Sequence, residues 1–261
     1  MTSSANSANS ADTADSADAP TSVPFGFRDL APEAKTRAVG EVFHRVAARY
    51  DLMNDLMSAG LHRRWKNRFV ERLRPQPHEH ILDLAGGTGD IAFRIAARGA
   101  TVTIADINPD MLAVGRARAE KRGLVGLDFV EANAEELPFA DHSFDAVTIA
   151  FGIRNVTHVD QALREMHRVL KWGGRFFCLE FSTCEWPGFA EAYDAYTLKL
   201  VPRIGRLVAQ DEAAYRYLAE SIKRFPGMAA FATSVRAAGF RQVRATPILG
   251  GAVAIHSGWK Y

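Results

Sequence analysis

Apolar residues between Ala31 and Arg74 recur at helical spacing. The first stripe consists of Val39, Val42, Phe43, Val46 and Tyr50, and the second of Leu61, Trp65, Phe69 and Leu73. Positions i, i+3, i+4 and i+7 share one face of an α-helix, so each stripe indicates an amphipathic helix. The pattern predicts a helical N-terminal cap over residues 31–74.

After Pro77 the pattern changes to short apolar runs separated by helical segments. The runs are HILDL, TVTIADI, GLDFVE, SFDAVTIAFG and GGRFFCLEFS. Strands that alternate with helices of this length predict βαβ units and a parallel sheet with right-handed crossovers. Two further runs, FRQVRATPI and GAVAIHSGW, are joined by a short glycine-containing connection and are compatible with an antiparallel hairpin.

Two segments depart from this alternation. Residues 1–24 repeat Ser, Ala, Asn and Asp with almost no large apolar side chain, which predicts a disordered tail and leaves 25–261 as a single domain. Residues 185–225 predict a helical insertion before the last two strands, in which basic residues lie among aromatic and aliphatic ones. That mixture fits a lipid-facing, substrate-facing surface, or equally helices that pack on each other with solvated charges outside.

Composition narrows the class of protein. The 261 residues are 48% hydrophobic and carry 32 basic and 30 acidic side chains, a net charge of +2 that does not favour a nucleic-acid partner. No apolar run approaches the roughly 18 residues of a membrane-spanning helix, and no secretory signal or transit peptide is evident. Cys178 and Cys184 fit neither a redox pair nor a zinc site, and no metal-binding cluster is predicted. A cytoplasmic protein is expected.

The stretch LDLAGGTGD places glycines where the first strand of the sheet turns into a helix. Glycine lets the backbone approach a ligand closely, and NAD, FAD and S-adenosylmethionine sites all use such turns. Asp106 ends the next strand, where an acid hydrogen-bonds ribose hydroxyls. Asp83 lies just ahead of the glycines, and a carboxylate there suits an ammonium group better than an anionic pyrophosphate. The glycine turn alone could also be purely structural.

The segment EANAEELPFADHSFDAV, followed by an apolar strand, a helix and LKWGG, resembles class I S-adenosylmethionine-dependent methyltransferases. Longer stretches are similar to one branch of that class, the bacterial ubiquinone/menaquinone biosynthesis C-methyltransferases. They are VFHRVAARYDLMNDLMSAGLHRRWK, AFGIRNV, AYDAYTLKLVPRIGRLVAQDEAAYRYLAESIKRFP and GAVAIHSGWK. The resemblance runs from about Val42 to Tyr261. It implies a Rossmann-like α/β fold with a mostly parallel, seven-stranded sheet and an antiparallel final strand.

The resemblance also implies a cofactor, S-adenosylmethionine, and a site for it. The residues implied to bind the cofactor are Asp83, Gly86, Gly87, Thr88, Gly89, Asp106, Ile107, Asn133, Ala134 and Ala150. Among them Asn133 and Ala134 would contact the adenine, Asp106 the ribose and the glycine turn the methionine end. Ala150 stands where the family often has Ser, so a hydroxyl contact would be absent there.

The implied reaction is methyl transfer to a ring carbon of a polyprenylated quinol, a benzoquinol, a naphthoquinol or both. Arg154 and Asn155 follow the fourth strand at its carboxyl end, where α/β sheets bind ligands. Arg154 would stabilise phenolate charge or orient a water, Asn155 would bind a ring oxygen, and Tyr50 would do the same from the cap. Alternatively, Arg154 and Asn155 form an ion-pairing turn that caps the next helix, and Tyr50 is core. His158 and His167 are not predicted to be catalytic bases.

Two other functions remain open from the sequence: a nucleotide-dependent oxidoreductase and a non-catalytic scaffold of a quinone-biosynthesis complex. Peripheral contact with the inner face of the cytoplasmic membrane, assembly with other quinone-biosynthesis proteins and a homodimer are further expectations. The sequence does not choose between quinol classes or prenyl lengths.

Overall fold

The computed structural model of the protein describes residues 22–47, 54–55, 58, 60–183, 186, 195–196, 198, 202–203 and 211–261. Tyr50, Cys184 and most of residues 185–210 lie outside the described residues, as do residues 1–21 of the predicted tail. The predicted contact from Tyr50 and the predicted surface on the insertion therefore stay predictions.

The core of the fold is one seven-stranded sheet. Its strands are β3 (His80–Leu84), β4 (Thr101–Asp106), β5 (Leu127–Glu131), β6 (Phe144–Ala150), β7 (Leu170–Phe181), β8 (Arg241–Ile248) and β9 (Val253–Trp259). The order across the sheet is β5-β4-β3-β6-β7-β9-β8. In this sheet β9 runs opposite to the other six strands, which confirms the predicted mostly parallel sheet with an antiparallel final strand.

The strand order reverses between β3 and β6. From β3 the chain moves outward through β4 to β5, then returns to pair β6 against the other side of β3. Connections on the two sides leave in opposite directions at this point, which opens a crevice at the carboxyl ends of the strands. The fold thus sets the place of a ligand site before any side chain is considered.

Helices cover the sheet on both faces. They are α1 (Pro32–Val46), α2 (His62–Leu73), α3 (Asp90–Ala96), α4 (Pro109–Lys121), α5 (Val159–Val169), α6 (Glu212–Arg224) and α7 (Met228–Ala237). Helix α4 shows why a boundary falls where it does, because the Asn108 side chain accepts hydrogen bonds from the backbone N–H groups of Asp110 and Met111. Pro109 in the first turn has no N–H to satisfy.

Two hydrophobic clusters lie on opposite faces of the sheet. Ile81 belongs to one, with Phe69, and its neighbour Leu82 belongs to the other, with Phe240. Successive strand residues point to opposite faces, so a strand buried on both sides is continuously apolar. This explains why the central strands β3, β4 and β6 are nearly continuous apolar runs in the sequence, whereas the edge strands β5 and β8 are more polar.

A small hairpin precedes α1 and was not predicted. Its strands are β1 (Val23–Phe25) and β2 (Arg28–Leu30), so ordered chain begins before the predicted boundary at residue 24. Val23 is buried, and the Phe25 ring stacks on Tyr217 of α6 with ring centroids 4.2 Å apart. The hairpin therefore packs against α6 and forms part of the domain.

Candidate active site

A cavity opens at the carboxyl ends of β3, β4 and β6, beneath α1. Its walls are mostly apolar and consist of Thr36, Val39, Gly40, Phe43, Leu84, Ala85, Asp106, Ile107, Asn108, Met111, Ala132, Asn133, Ala134, Glu135, Phe151, Gly152, Asn155, Val156 and Thr157. The cavity lies at the reversal of strand order, where open α/β sheets bind their ligands. It is therefore the candidate active site.

Helix α1 forms the roof of the cavity and is held at both ends. Near its start, Lys35 Nζ donates to the Val156 carbonyl oxygen at 2.8 Å, and the hydroxyls of Thr36 and Thr157 lie 3.0 Å apart. Near its end, His44 Nδ1 lies 2.5 Å from Asp110 Oδ2. The roof is thus attached to the segment after β6 at one end and to α4 at the other.

The glycine turn between β3 and α3 has the predicted tight geometry. Gly87 (φ 53°) and Gly89 (φ 81°) are in the left-handed region that favours glycine. A β-carbon on Gly89 would lie 2.6 Å from the Phe93 ring, and one on Gly87 would lie 2.9 Å from Met111 Cε. At both positions a side chain would strain the backbone and force its neighbour to move.

Asp106 connects the glycine turn to the cavity. Its Oδ2 accepts from the Gly87 N–H and its Oδ1 from the Asn108 N–H, both at 2.9 Å. Burial raises the pKa of Asp106 to about 6. Each carboxylate oxygen retains a lone pair after these bonds, so Asp106 can accept hydrogen bonds from a diol in the cavity.

Asp83 is the most unusual acid of the site. It is 1% exposed, its Oδ1 accepts from Thr148 Oγ1 at 2.7 Å, and its Oδ2 makes no hydrogen bond of ordinary geometry among the described residues, although the Ala92 N–H is close enough to the carboxylate to lower its pKa. A β-carbon on Gly86 would lie 3.1 Å from that Oδ2, so the acid faces the glycine turn. Burial raises the pKa of Asp83 to about 7. A cationic group at the turn would both pair this oxygen and favour the ionised acid.

The other predicted cofactor residues fall into two groups. Ile107, Asn133 and Ala134 line the cavity with Asp106. The Asn133 Oδ1 accepts from the Glu135 N–H at 3.0 Å, which leaves its NH2 group to donate to a ligand. The residues that lie outside the lining are Asp83, Gly86, Gly87, Thr88, Gly89 and Ala150.

Arg154 does not line the cavity. Its guanidinium is buried, and Nη1 donates to Glu180 Oε1 at 2.7 Å and to the Phe151 carbonyl oxygen at 2.6 Å. Nε approaches Ser221 Oγ at 3.4 Å. Of the two interpretations of Arg154 drawn from the sequence, this geometry matches the ion-pairing turn.

The second half of that interpretation, capping of the next helix, fails. The backbone N–H groups of Thr157 and His158 donate instead to Glu135 Oε1, at 2.9 and 3.1 Å. Glu135 therefore holds the segment that leads into α5, and α5 itself has no side-chain cap from any residue that the structure describes. Neither Arg154 nor Asn155 takes part.

Asn155 does line the cavity, one residue further along the 3-10 turn Ile153–Asn155. Its Oδ1 accepts from the Tyr217 hydroxyl at 3.0 Å. The structure thus separates the predicted pair, with Asn155 at the cavity wall and Arg154 behind it.

Two residues of this network were missed in the sequence. Glu180 is the one acid within the apolar run of β7, a signal that marks a buried charge in need of a partner. Tyr217 had no such signal, because it is one of many aromatic and aliphatic residues in the predicted helical insertion. His158 and His167 make no contact with the cavity, and His167 packs edge-on against Phe240 with ring centroids 5.0 Å apart.

Within the described ranges, no group of three or more His, Cys, Asp or Glu side chains could hold a metal ion. Over the same residues, no helix has the length and hydropathy required to cross a membrane. Cys178 is buried, and burial raises the pKa of its thiol.

Comparison with known proteins gives relatives over almost the whole chain. The ubiquinone/menaquinone biosynthesis C-methyltransferase of Zymomonas mobilis is 61% identical over 238 residues, covering 91% of this chain and 98% of that protein. The protein of the same name from Sinorhizobium fredii is 55% identical over 242 residues, covering 90% and 94%.

Among solved structures, an S-adenosylmethionine-dependent methyltransferase from Thermotoga maritima covers 85% of this chain and all of its own, with a TM-score of 0.60 and 19% identity. A phosphoethanolamine N-methyltransferase of Haemonchus contortus, solved with S-adenosyl-L-methionine, has a TM-score of 0.56 at 15% identity and covers 76% of this chain and 52% of its own. These likenesses show the fold alone. The model of the ubiE/COQ5 methyltransferase family matches residues 31–260, and the chain belongs to that family.

Proposed function

We propose that this protein transfers a methyl group from S-adenosylmethionine to a ring carbon of a polyprenylated quinol in ubiquinone or menaquinone biosynthesis. The names of its bacterial relatives support the reaction. The observation that carries the proposal is a largely apolar cavity that contains Asp106 and lies beside a buried acid, Asp83, with an unpaired oxygen.

The residues fit the cofactor. S-adenosylmethionine, when bound, supplies an electrophilic methyl group on a cationic sulfonium. Asp83 offers its unpaired oxygen to the ammonium of the methionine end, Asp106 accepts from the ribose hydroxyls, and Asn133 offers its NH2 group to the adenine. Gly86, Gly87, Thr88, Gly89, Ile107, Ala134 and Ala150 are proposed to shape the surrounding surface.

The remaining walls fit an aromatic acceptor. An ionised quinol hydroxyl increases electron density at the neighbouring ring carbon, which would accept the methyl group as the bond between that methyl and the sulfonium sulfur breaks. Val39, Phe43 and Phe151 exclude water from this region, which strengthens every electrostatic contact within it. Asn155 donates to the ring oxygen that bears the charge. Tyr50 is proposed as a second contact from the cap.

Arg154 acts on this reaction through the turn. A guanidinium stays charged at neutral pH and does not serve as a base. Its bonds to Glu180 and to the Phe151 carbonyl fix the turn that carries Phe151 and Asn155 into the cavity. The ring proton lost after methyl transfer passes to water.

A prenyl tail partitions into lipid, so we further propose peripheral contact with the cytoplasmic membrane through residues 185–225. Cosedimentation with vesicles of anionic phospholipid measures this contact. Assembly with other quinone-biosynthesis proteins or with a second copy of the chain remains a prediction.

The experiment that tests the function is an in vitro methylation assay. Reduced demethylmenaquinol and 2-methoxy-6-polyprenyl-1,4-benzoquinol are incubated with the protein and S-adenosylmethionine, and the ring is analysed by mass spectrometry. Addition of one methyl group to either ring is expected. No ring methylation of either substrate would sink the proposal.

Thermal melting separates the proposal from an oxidoreductase, and a cofactor-site variant separates it from a scaffold. A methyltransferase is expected to melt higher with S-adenosylhomocysteine and not with NADH, whereas an oxidoreductase gives the reverse. For a scaffold, Asp106→Ala would leave cellular quinone levels intact while deletion of the protein lowers them.

A further inference from the structure

Helix α6 presents two hydroxyls to the turn that carries Arg154 and Asn155. Tyr217 and Ser221 are four residues apart, so they lie on one face of the helix. The Tyr217 hydroxyl donates to Asn155 Oδ1 at 3.0 Å, and Ser221 Oγ lies 3.4 Å from Arg154 Nε. The helix therefore contacts each of the two residues through a separate side chain.

Tyr217 is held rigidly in this position. It is 5% exposed, and Phe25 stacks on its ring at a centroid distance of 4.2 Å and an interplanar angle of 20°. Burial raises the pKa of Tyr217 well above its usual value, so the hydroxyl keeps its proton and remains a donor. A fixed donor at this point binds the oxygen end of the Asn155 amide.

The orientation of the amide decides what Asn155 offers to the cavity. A carboxamide is planar, with an acceptor oxygen at one end of the group and a donor NH2 group at the other. With the oxygen bound to Tyr217, the NH2 group is the end left for a ligand. If the amide were reversed, Asn155 Oδ1 would face the cavity. A phenolate ligand would then place its own acceptor oxygen against that oxygen.

We propose that Tyr217 is a positioning residue that fixes Asn155 as a hydrogen-bond donor toward the cavity, so that the site selects an ionised ring oxygen. This inference rests on the proposed function, because the ring oxygen belongs to the proposed quinol. Tyr217 itself touches Asn155 and does not line the cavity.

The test uses Tyr217→Phe, which keeps the ring that stacks on Phe25 and removes only the hydroxyl. We expect kcat for the quinol to fall about tenfold, a modest loss for a misplaced donor to developing negative charge. The dissociation constant for S-adenosylhomocysteine and the melting temperature are expected to change little. Tyr261→Phe is the matched control, because it removes the same hydroxyl from an exposed residue outside the cavity lining.

A double-mutant cycle separates positioning from a general loss of stability. If Tyr217 acts through Asn155, the variant with both Tyr217→Phe and Asn155→Ala is no slower than Asn155→Ala alone. Additive losses, or wild-type kcat in Tyr217→Phe, would overturn the inference.

A second measurement does not depend on turnover. In protein with 15N-labelled asparagine side chains, the Asn155 NH2 signals, assigned by their loss in Asn155→Ala, should shift in Tyr217→Phe and not in Tyr261→Phe. Unshifted signals contradict the inference even if the quinol is methylated. Shifted signals without any quinol methylation support the positioning of the amide and reject the proposed substrate.

Discussion

The turns that follow β3 and β6 begin alike and differ in how their charges are satisfied. Each strand is followed by a residue in left-handed backbone, Ala85 (φ 48°) after β3 and Phe151 (φ 58°) after β6. The two turns also touch, because a β-carbon on Gly152 would lie 2.5 Å from Ala85 Cβ. Such backbone costs roughly 1–3 kcal/mol per residue and is found where surrounding structure enforces it.

The difference lies in the buried charges beside the turns. Beside the β3 turn, Asp83 keeps an unpaired oxygen that faces the glycines. Beside the β6 turn, Arg154 and Glu180 satisfy each other in a buried ion pair. The first region leaves a buried carboxylate oxygen without a hydrogen bond among the described residues, whereas the charges of the second region are paired within the protein. Charge removal should therefore stabilise the first region and destabilise the second.

The largest effect is expected from Glu180→Ala. The substitution leaves Arg154 buried without its carboxylate, and breaking one side of a buried pair costs about 3–5 kcal/mol. Urea denaturation should show this as a lower midpoint at an unchanged slope. Asp141→Ala is the control, since it breaks an ion pair with Arg168 at an exposed position and should change the midpoint little. A midpoint equal to that of the control would show that the β6 turn does not depend on its ion pair.

Asp83→Asn should have the opposite effect on stability. Burial raises the pKa of Asp83 from an ordinary 3.8 to about 7, and three pKa units correspond to at most about 4 kcal/mol. Between these values the folded state holds a proton that the unfolded state has lost, so wild-type stability falls as pH rises from about 4 to 7. We expect Asp83→Asn to be more stable above pH 7 by roughly 2 kcal/mol, about half that limit, because the new amide also needs partners.

Urea denaturation of both proteins from pH 4 to pH 8 measures this difference. It should be smallest at pH 4, grow toward pH 7 and then level off, while S-adenosylhomocysteine binds more weakly to the variant throughout. A variant that is less stable than wild type at pH 8 would reverse the comparison between the two turns.

The two turns also differ in how much of their structure could be predicted from the sequence. Asp83 and Asp106 were predicted as site residues because each lies beside a glycine turn or strand end that the local sequence pattern identifies. The sheet was found for a similar reason, since strands buried on both faces are continuous apolar runs. In each case the signal is contained within a few consecutive residues.

What the sequence did not predict depends on contacts between distant segments. Arg154 and Glu180 are 26 residues apart, and Asn155 and Tyr217 are 62 residues apart. The hairpin of β1 and β2 is held by Phe25 against Tyr217 and by the Phe27 N–H bonded to Glu220 Oε2. Its own residues carry too little apolar surface to predict order. The sequence therefore predicted the position of the turn after β6. The partners of that turn, Glu180 and Tyr217, were evident only from the folded structure.

Asp106→Asn should lower the affinity for S-adenosylhomocysteine without unfolding the protein. The amide can still accept one backbone N–H, but it loses charge and an acceptor for a diol. Hydrogen bonds to charged groups are worth about 1.5–3 kcal/mol, so S-adenosylhomocysteine should bind about 10- to 100-fold more weakly by calorimetry. Asp128→Asn on the neighbouring strand β5 is the control, because Asp128 lies outside the cavity lining. Equal affinities of the two variants for S-adenosylhomocysteine would show that Asp106 does not bind the cofactor.

The smallest effects are expected at the roof, where α1 connects the two turns. Thr36 donates to the Pro32 carbonyl oxygen and lies 3.0 Å from the Thr157 hydroxyl, so Thr36→Val loosens α1 from the β6 side without changing its shape. His44→Gln loosens it from Asp110 of α4, on the cofactor side. Exposed contacts of this kind contribute about 0.5 kcal/mol, a factor of about two in binding. Thr36→Val should therefore raise KM for the quinol about twofold and spare cofactor affinity, and His44→Gln should do the reverse. Steady-state kinetics with each substrate varied in turn measures both KM values. If either variant changed the two KM values equally, α1 would act as one rigid element over both substrates, which would contradict the prediction.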